Sequence, residues 1–480
     1  MLSLFARAFV QFGILLLSIL FTIPSFATEI PFAKQYQLVE INGIDVPEIN
    51  GIDFNHLTVF AYRNGVLAPI PFQFEDIDSD GNTYFEKGDA PLMGSKDIFD
   101  EHDALFFLFS DAGQQLYPFP VDNTRILSEI RLSFKGGSRY VYIATGMIAT
   151  GMTATGTNTT EGATAATTGA AAANMTLSAS AIPDTSISAT NYVNYNKETG
   201  LIETSRYTLQ TDPKNFLVWK SLHYNGLQSD DNTDFIDALK IRISAGIIAK
   251  YPRITLTNKN FFVDVVDIKE GPVRSVLLLN SKVKVAGFTV LYVNFHITII
   301  PSEVELEVRV KVPSIFKYVV NSPNTSLSLE CKNMQGGIFR TALGPSQPAI
   351  IDGHISPLEQ NLIRKGIDND HTWIGISSRK NMDLFATMFI SDNFTAPITL
   401  YYRDEKPGKR GANLGPNIGY RVHDIPVDAS FKFQFKIVIG GGIGQREPLQ
   451  FAQGYKTQPN VATYSNPTAI KLATKLNTSQ

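Results

Sequence analysis

The commonest pattern along this chain is alternation of apolar and polar residues, clearest in Val304-Glu305-Leu306-Glu307-Val308-Arg309-Val310-Lys311-Val312. Five apolar side chains fall on one face and four charges on the other. This predicts a strand of an antiparallel sheet with one buried side and one wet side. Residues 431–439 repeat the pattern with phenylalanine, and Ile130, Leu132 and Phe134 repeat it nearer the N-terminus. Turn signals punctuate it. Gly136-Gly137 joins 131–135 to 138–144, and Ala286-Gly287 separates 282–285 from 288–300. Glu-Ile-Asn-Gly-Ile-Asp occurs at 40–45 and again at 48–53, which predicts successive turns, and two copies are too few for a solenoid. Helical periodicity is short and weak, best at 447–455 after Gly440, Gly441, Gly442 and Gly444. That glycine cluster lacks both Gly-Lys-Ser/Thr and dinucleotide spacing, so it reads as a strand-end turn. The expected fold is all-β with minor helices.

Composition divides the chain. Arg7, the apolar run 8–23 and Ser25-Phe26-Ala27 read as an export signal cleaved after Ala27, too short for the roughly 20 residues a membrane span needs. The expected compartment is periplasmic or extracellular, with no membrane span after cleavage. Of the 39 residues from Ala144 to Ile182, 12 are Ala, 11 Thr and 5 Gly, with one charge and no aromatic, so they offer little apolar surface to offset ordering. They read as a linker or long loop between an N-terminal β domain, 28–143, and a large antiparallel β-sandwich, 183–480. A net charge of -3 argues against a general nucleic-acid binder. The single cysteine, Cys331, excludes an intramolecular disulfide, and its alternation with Leu327 and Leu329 predicts a buried strand thiol.

Candidate chemistry is concentrated in three places. Residues 75–111 carry eleven acids against Lys87 and Lys96, and Asp76-Ile77-Asp78-Ser79-Asp80-Gly81-Asn82 follows the first half of a calcium loop. Asp76, Asp78, Asp80, Asn82 and Glu86 are the candidate Ca2+ ligands, with Asp89 in reach. Position twelve is Lys87, and the alternative is a hairpin turn at Asp80-Gly81. No histidine pair has zinc-site spacing, and no nucleophile elbow is present. His371, beside Asp370 and Trp373, combines a proton carrier with a ring that can stack on a sugar. The loop from Arg403 to Arg421 carries five cations, two acids and four glycines, with Tyr401 and Tyr402 before it and Tyr420 near its end. Cations pair with carboxylates or sulfates while aromatic rings cover sugar faces. Tyr401, Arg403, Lys409, Arg410 and Trp373 are therefore candidates for binding, and His371 and Tyr402 for proton transfer in a lyase.

The segments 71–81 and 100–113 together resemble a paired motif of poorly characterised exported bacterial β proteins. The C-terminal half, with Glu270-Gly271-Pro272-Val273-Arg274 ahead of a strand, resembles the supersandwich folds of mutarotase-like and polysaccharide lyase proteins. That resemblance implies a large twisted sandwich and contact with a glycan, and it carries over no catalytic residue. The expected function is recognition, or processing, of an envelope or extracellular polysaccharide, an acidic one by the loop's charge. The alternative is a non-catalytic envelope protein with a protein partner.

Overall fold

The structure, a computed structural model, describes residues 29–116, 125–145, 191–228, 231–247, 249–285, 287–311, 318, 320–368, 370–391, 394–404, 414–426, 430–444 and 448–466. The expected export signal and most of the expected linker lie outside these residues. Described strand pairings are antiparallel, and the protein is an all-β sandwich with short helices.

The N-terminal unit packs a five-stranded sheet against a three-stranded one. In the first, Ile126–Phe134 and Gly137–Thr145 form the hairpin expected at the glycine pair, with Phe134 opposite Gly137. Leu57–Arg63 and Val66–Pro69 extend one edge, and Asn460–Ser465 closes the other. The smaller sheet holds Leu38–Asn42, Ala104–Leu108 and Gln73–Glu75. Ile41, Val59, Phe74, Phe107, Ile130 and Val141 share the core between them. The strand Asn460–Ser465 thus crosses the division expected from the sequence. It pairs residue for residue with 128–133, hydrogen-bonding an edge that would otherwise stand open.

The C-terminal unit faces a nine-stranded sheet with a five-stranded one. The five-stranded order is Arg253–Thr257, Ile236–Ile247, Val320–Cys331, Asn417–Val422 and Ile398–Arg403. The nine-stranded sheet includes the hairpin Ser275–Val285 and Phe288–Ile300, closing with Val285 opposite Phe288. A single core runs between the sheets and includes the fully buried Cys331. A helix at Pro448–Lys456 falls one residue from the expected position. A second, Pro357–Arg364, begins at a Ser356 and Glu359 capping box that periodicity alone does not reveal.

One expectation is corrected where the units meet. The acidic part of the charged face of Glu303–Lys311 is not wet: Glu303 is buried, and Glu305 and Glu307 are mostly covered. Lys436 pairs with Glu305 at 2.9 Å and Lys432 with Glu307 at 2.8 Å, so the charges are neutralised across the ladder before being covered. The N-terminal unit meets this sheet through Ser302 Oγ donating to the Tyr36 carbonyl, Asn294 Nδ2 donating to Asp89, and Phe85 stacked on His296.

The firmest link joins the two segments that the sequence resemblances single out. Arg274 donates from Nε and Nη2 to the two oxygens of Glu75, each at 2.6 Å. Gln73 and Thr83 donate to the same carboxylate, also at 2.6 Å. The guanidinium lies 3.4 Å from the Phe106 ring centroid. Four charge-assisted hydrogen bonds satisfy a carboxylate that is almost wholly buried.

Candidate functional site

The outward face of the five-stranded sheet carries three cross-strand rows. Arg242, Ser326, Arg421 and Thr399 form one; Lys240, Ser328, Gly419 and Tyr401 the next; Ala238, Glu330, Asn417 and Arg403 the third. Period-two alternation places these residues together, because Leu327, Leu329, Leu400 and Tyr402 between them point into the core. Across four strands the face spans about 14 Å. Four cations meet one carboxylate, Glu330, which is ion-paired with Lys240.

Glycine is required at the centre of this face. A Cβ at Gly419 would lie 2.0 Å from the Leu327 carbonyl oxygen. Beside it the Tyr401 ring is covered by Arg421, whose guanidinium carbon is 5.0 Å from the ring centroid. The face borders an open cleft of about 720 Å³, walled on the far side by Val218, Trp219, Asn258 and Lys259. Trp219 Nε1 and Asn417 Oδ1 are buried at its lining without a hydrogen-bond partner among the described residues. Beyond the first row, Thr399 Oγ1 and His423 Nε2 share a 2.9 Å hydrogen bond. Burial and the neighbouring Arg421 hold this imidazole below its usual value, so it is neutral at neutral pH.

The residues singled out from sequence separate into groups. Tyr401 and Arg403 line the cleft. Lys409 and Arg410 lie outside the described residues. Two expectations are corrected by burial. Tyr402 is 2% exposed and stacks on Phe339 at 4.1 Å, so it packs the core and its hydroxyl cannot reach a substrate. Trp373, also 2% exposed, stacks on Phe385 and offers no face to a sugar. His371 is exposed and paired with Asp368 at 2.8 Å, and it is not part of the cleft lining.

Of the calcium candidates, Asp78, Asp80 and Asn82 line one cleft with Asp89, while Asp76 and Glu86 do not line it. One oxygen of Asp78 accepts from the backbone N–H groups of Asp80 and Asn82, each at 2.9 Å. Asp76 accepts from the Asp97 N–H at 2.8 Å, and Glu86 pairs with Lys96. Asp80-Gly81 forms a turn with Gly81 at φ +76°. Among the described residues no group of three or more His, Cys, Asp or Glu is arranged to hold a metal ion. These backbone bonds are those of a turn, and no chemistry is derived through calcium.

Sequence reading missed Lys240, Arg242, Ser326, Ser328 and Glu330. Their signal was present as alternation: Leu239-Lys240-Ile241-Arg242-Ile243 and Ser326-Leu327-Ser328-Leu329-Glu330 each put polar groups on one face.

No protein-family model matches the chain, and no curated protein matches it. Among solved structures it is similar to heparan sulfate lyase HepC from Pedobacter heparinus, at 9% identity and TM-score 0.31 over 54% of this chain and 37% of that one. It is also similar to an alpha-mannosidase from Enterococcus faecalis V583, at 10% identity and TM-score 0.42 over 92% and 45%. A GalM/aldose epimerase homologue from C. elegans gives 10% identity and TM-score 0.29 over 52% and 98%. The chain thus spans less than half the length of the first two. At these values the likeness decides no chemistry, and no residue role is carried over.

Proposed function

We propose that the chain binds a polysaccharide bearing carboxylate or sulfate groups on the outward face of its five-stranded sheet. The observation that supports this is the set of rows itself: Arg242, Lys240, Arg403 and Arg421 against a paired Glu330, with two serines and the Tyr401 ring beside an open cleft. Guanidinium groups pair bidentately with planar anions, and hydroxyls and an aromatic ring suit the polar edges and apolar faces of sugars. Among the described residues the one carboxylate in the lining, Glu330, is held by a lysine, which favours retention over proton transfer. The export reading of residues 1–27 would bring this face to envelope or extracellular glycans.

The test is retention of the purified protein on immobilised alginate, pectate and glycosaminoglycans, with absorbance monitored for unsaturated products. Retention that weakens with salt is expected. Combining Lys240→Ala with Arg403→Ala should weaken it roughly tenfold or more, since hydrogen bonds to charged groups are each worth about 1.5–3 kcal/mol. Product formation would turn the reading towards a lyase. Equal behaviour of wild type and double variant towards every acidic glycan would overturn it and favour a protein partner.

A further inference from the structure

A second surface lies at one end of the C-terminal sandwich, away from the rows of the binding face. Three stretches form it, one with Lys250 and Arg253, one with Lys282 and Lys284, and one with Tyr318 and Ser322, in a chain whose net charge is -3. The fold brings parts of all three to the same end. The 236–247 strand turns there into Arg253–Thr257, with Gly246 opposite Arg253 and Ile247 opposite Val320. Arg253 Nη2 donates to the Ser322 carbonyl at 2.6 Å. Asn260 Nδ2 donates to the Lys284 carbonyl at 3.0 Å, which ties in the turn between Val285 and Phe288.

Large apolar side chains stand in solvent along this end. Phe288 is 76% exposed, Tyr318 75%, Tyr251 70% and Tyr292 63%, and Ile247 and Ile254 are also exposed. They alternate with cations: Lys250 adjoins Tyr251, Lys282 sits opposite Tyr292, and Lys284 lies 4.3 Å from the Phe262 ring centroid. Two described acids bear on it, Asp264, which Lys282 pairs at 2.9 Å, and Asp424, whose N–H donates to Asn324. Charge complementarity therefore points to an anionic partner, and the protruding rings point to one with an apolar layer beneath its charges. Tyrosine and phenylalanine partition into the boundary between headgroups and acyl chains, while lysine reaches the phosphates.

We propose that this end of the sandwich docks peripherally on an anionic lipid surface, the exposed rings entering the headgroup boundary and the lysines contacting lipid phosphates. Among the described residues no helix is long and apolar enough to cross a membrane. Each cation near an anionic surface contributes modestly, so several are needed and salt must weaken the contact.

Co-sedimentation of the full chain with phosphatidylcholine vesicles, with and without phosphatidylglycerol, tests this. Sedimentation is expected with the anionic vesicles only, and it should fall as salt rises. Two variants probe the two contributions separately: Tyr251→Ser with Phe288→Ser, and Lys250→Glu with Lys284→Glu. Each should weaken binding by about tenfold or more, with unchanged melting because all four positions are at the surface. The Lys240→Ala and Arg403→Ala variant should sediment like wild type, which separates this surface from the glycan reading. Absence of sedimentation with anionic vesicles at low salt would overturn the proposal. So would retention of full binding by both surface variants, or loss of vesicle binding in the cleft variant, which would assign the cations to the glycan face.

Discussion

At Glu75, four donors from three segments converge on a carboxylate with almost no contact with water. Arg274→Ala should therefore cost about 3–5 kcal/mol, because it leaves a buried charge without its counter-ion. Denaturant unfolding measures this, and a loss below about 1 kcal/mol, the range of a surface pair, would refute it. Glu303 makes a different prediction. One ammonium, Lys436, serves two carboxylates, at 2.9 Å from Glu305 and 3.5 Å from Glu303, and Gln434 bonds only Glu305. Desolvation pushes Glu303 up from 4.5 to about 7. Its folded form holds the proton more tightly than the unfolded form, so its contribution is complete below about 4.5 and is lost as pH rises through about 7. Stability measured across that window should decline, and Glu303→Gln should flatten the decline. An equally steep decline in the variant would assign it to another group.

Among the elements, Asn460–Ser465 connects the last part of the chain to the N-terminal sheet. Its partner strand, Ile126–Phe134, would become an edge nine residues long without it, and Val461, which packs on the core, would be lost. Exposed edges pair with other chains. A chain ending at Gln458 should accordingly melt lower than wild type and aggregate on heating, as followed by light scattering. Unchanged melting and solubility would show that the strand is dispensable. The corrected charged face of Glu303–Lys311 belongs to the same scale: alternation set which side chains share a face, and the neighbouring unit set what that face meets.

For the molecule as a whole, the composition of 144–182 predicts preferred cleavage there by general proteases. The structure adds what should follow. The Glu75–Arg274 pair, the Asn294–Asp89 contact and the strand Asn460–Ser465 all join the N-terminal unit to parts of the chain beyond the cut. The two fragments should co-elute on gel filtration after nicking and separate only in denaturant. Independent elution under native conditions would show that these contacts are too weak to hold the units together.

The sequence by itself determined the elements. Alternation marked the strands, Gly136-Gly137 and Ala286-Gly287 marked the turns after Phe134 and Val285, and the 327–331 alternation placed Cys331 in the core, because each of these depends on neighbours within a few residues. It also brought Tyr401 and Arg403 forward. It did not separate Tyr401 from Tyr402, since adjacent strand residues face opposite ways and only the packing of the second sheet decides which side is core. Trp373 failed for the same reason: an aromatic beside a histidine reads as a site until Phe385 is seen covering it. Lys240, Ser328 and Tyr401 lie far apart in the chain and become neighbours only through ladder register. The meeting of Glu75 with Arg274, 199 residues apart, was likewise a decision of tertiary structure, because a buried charge selects its partner by proximity in the fold and not in the sequence.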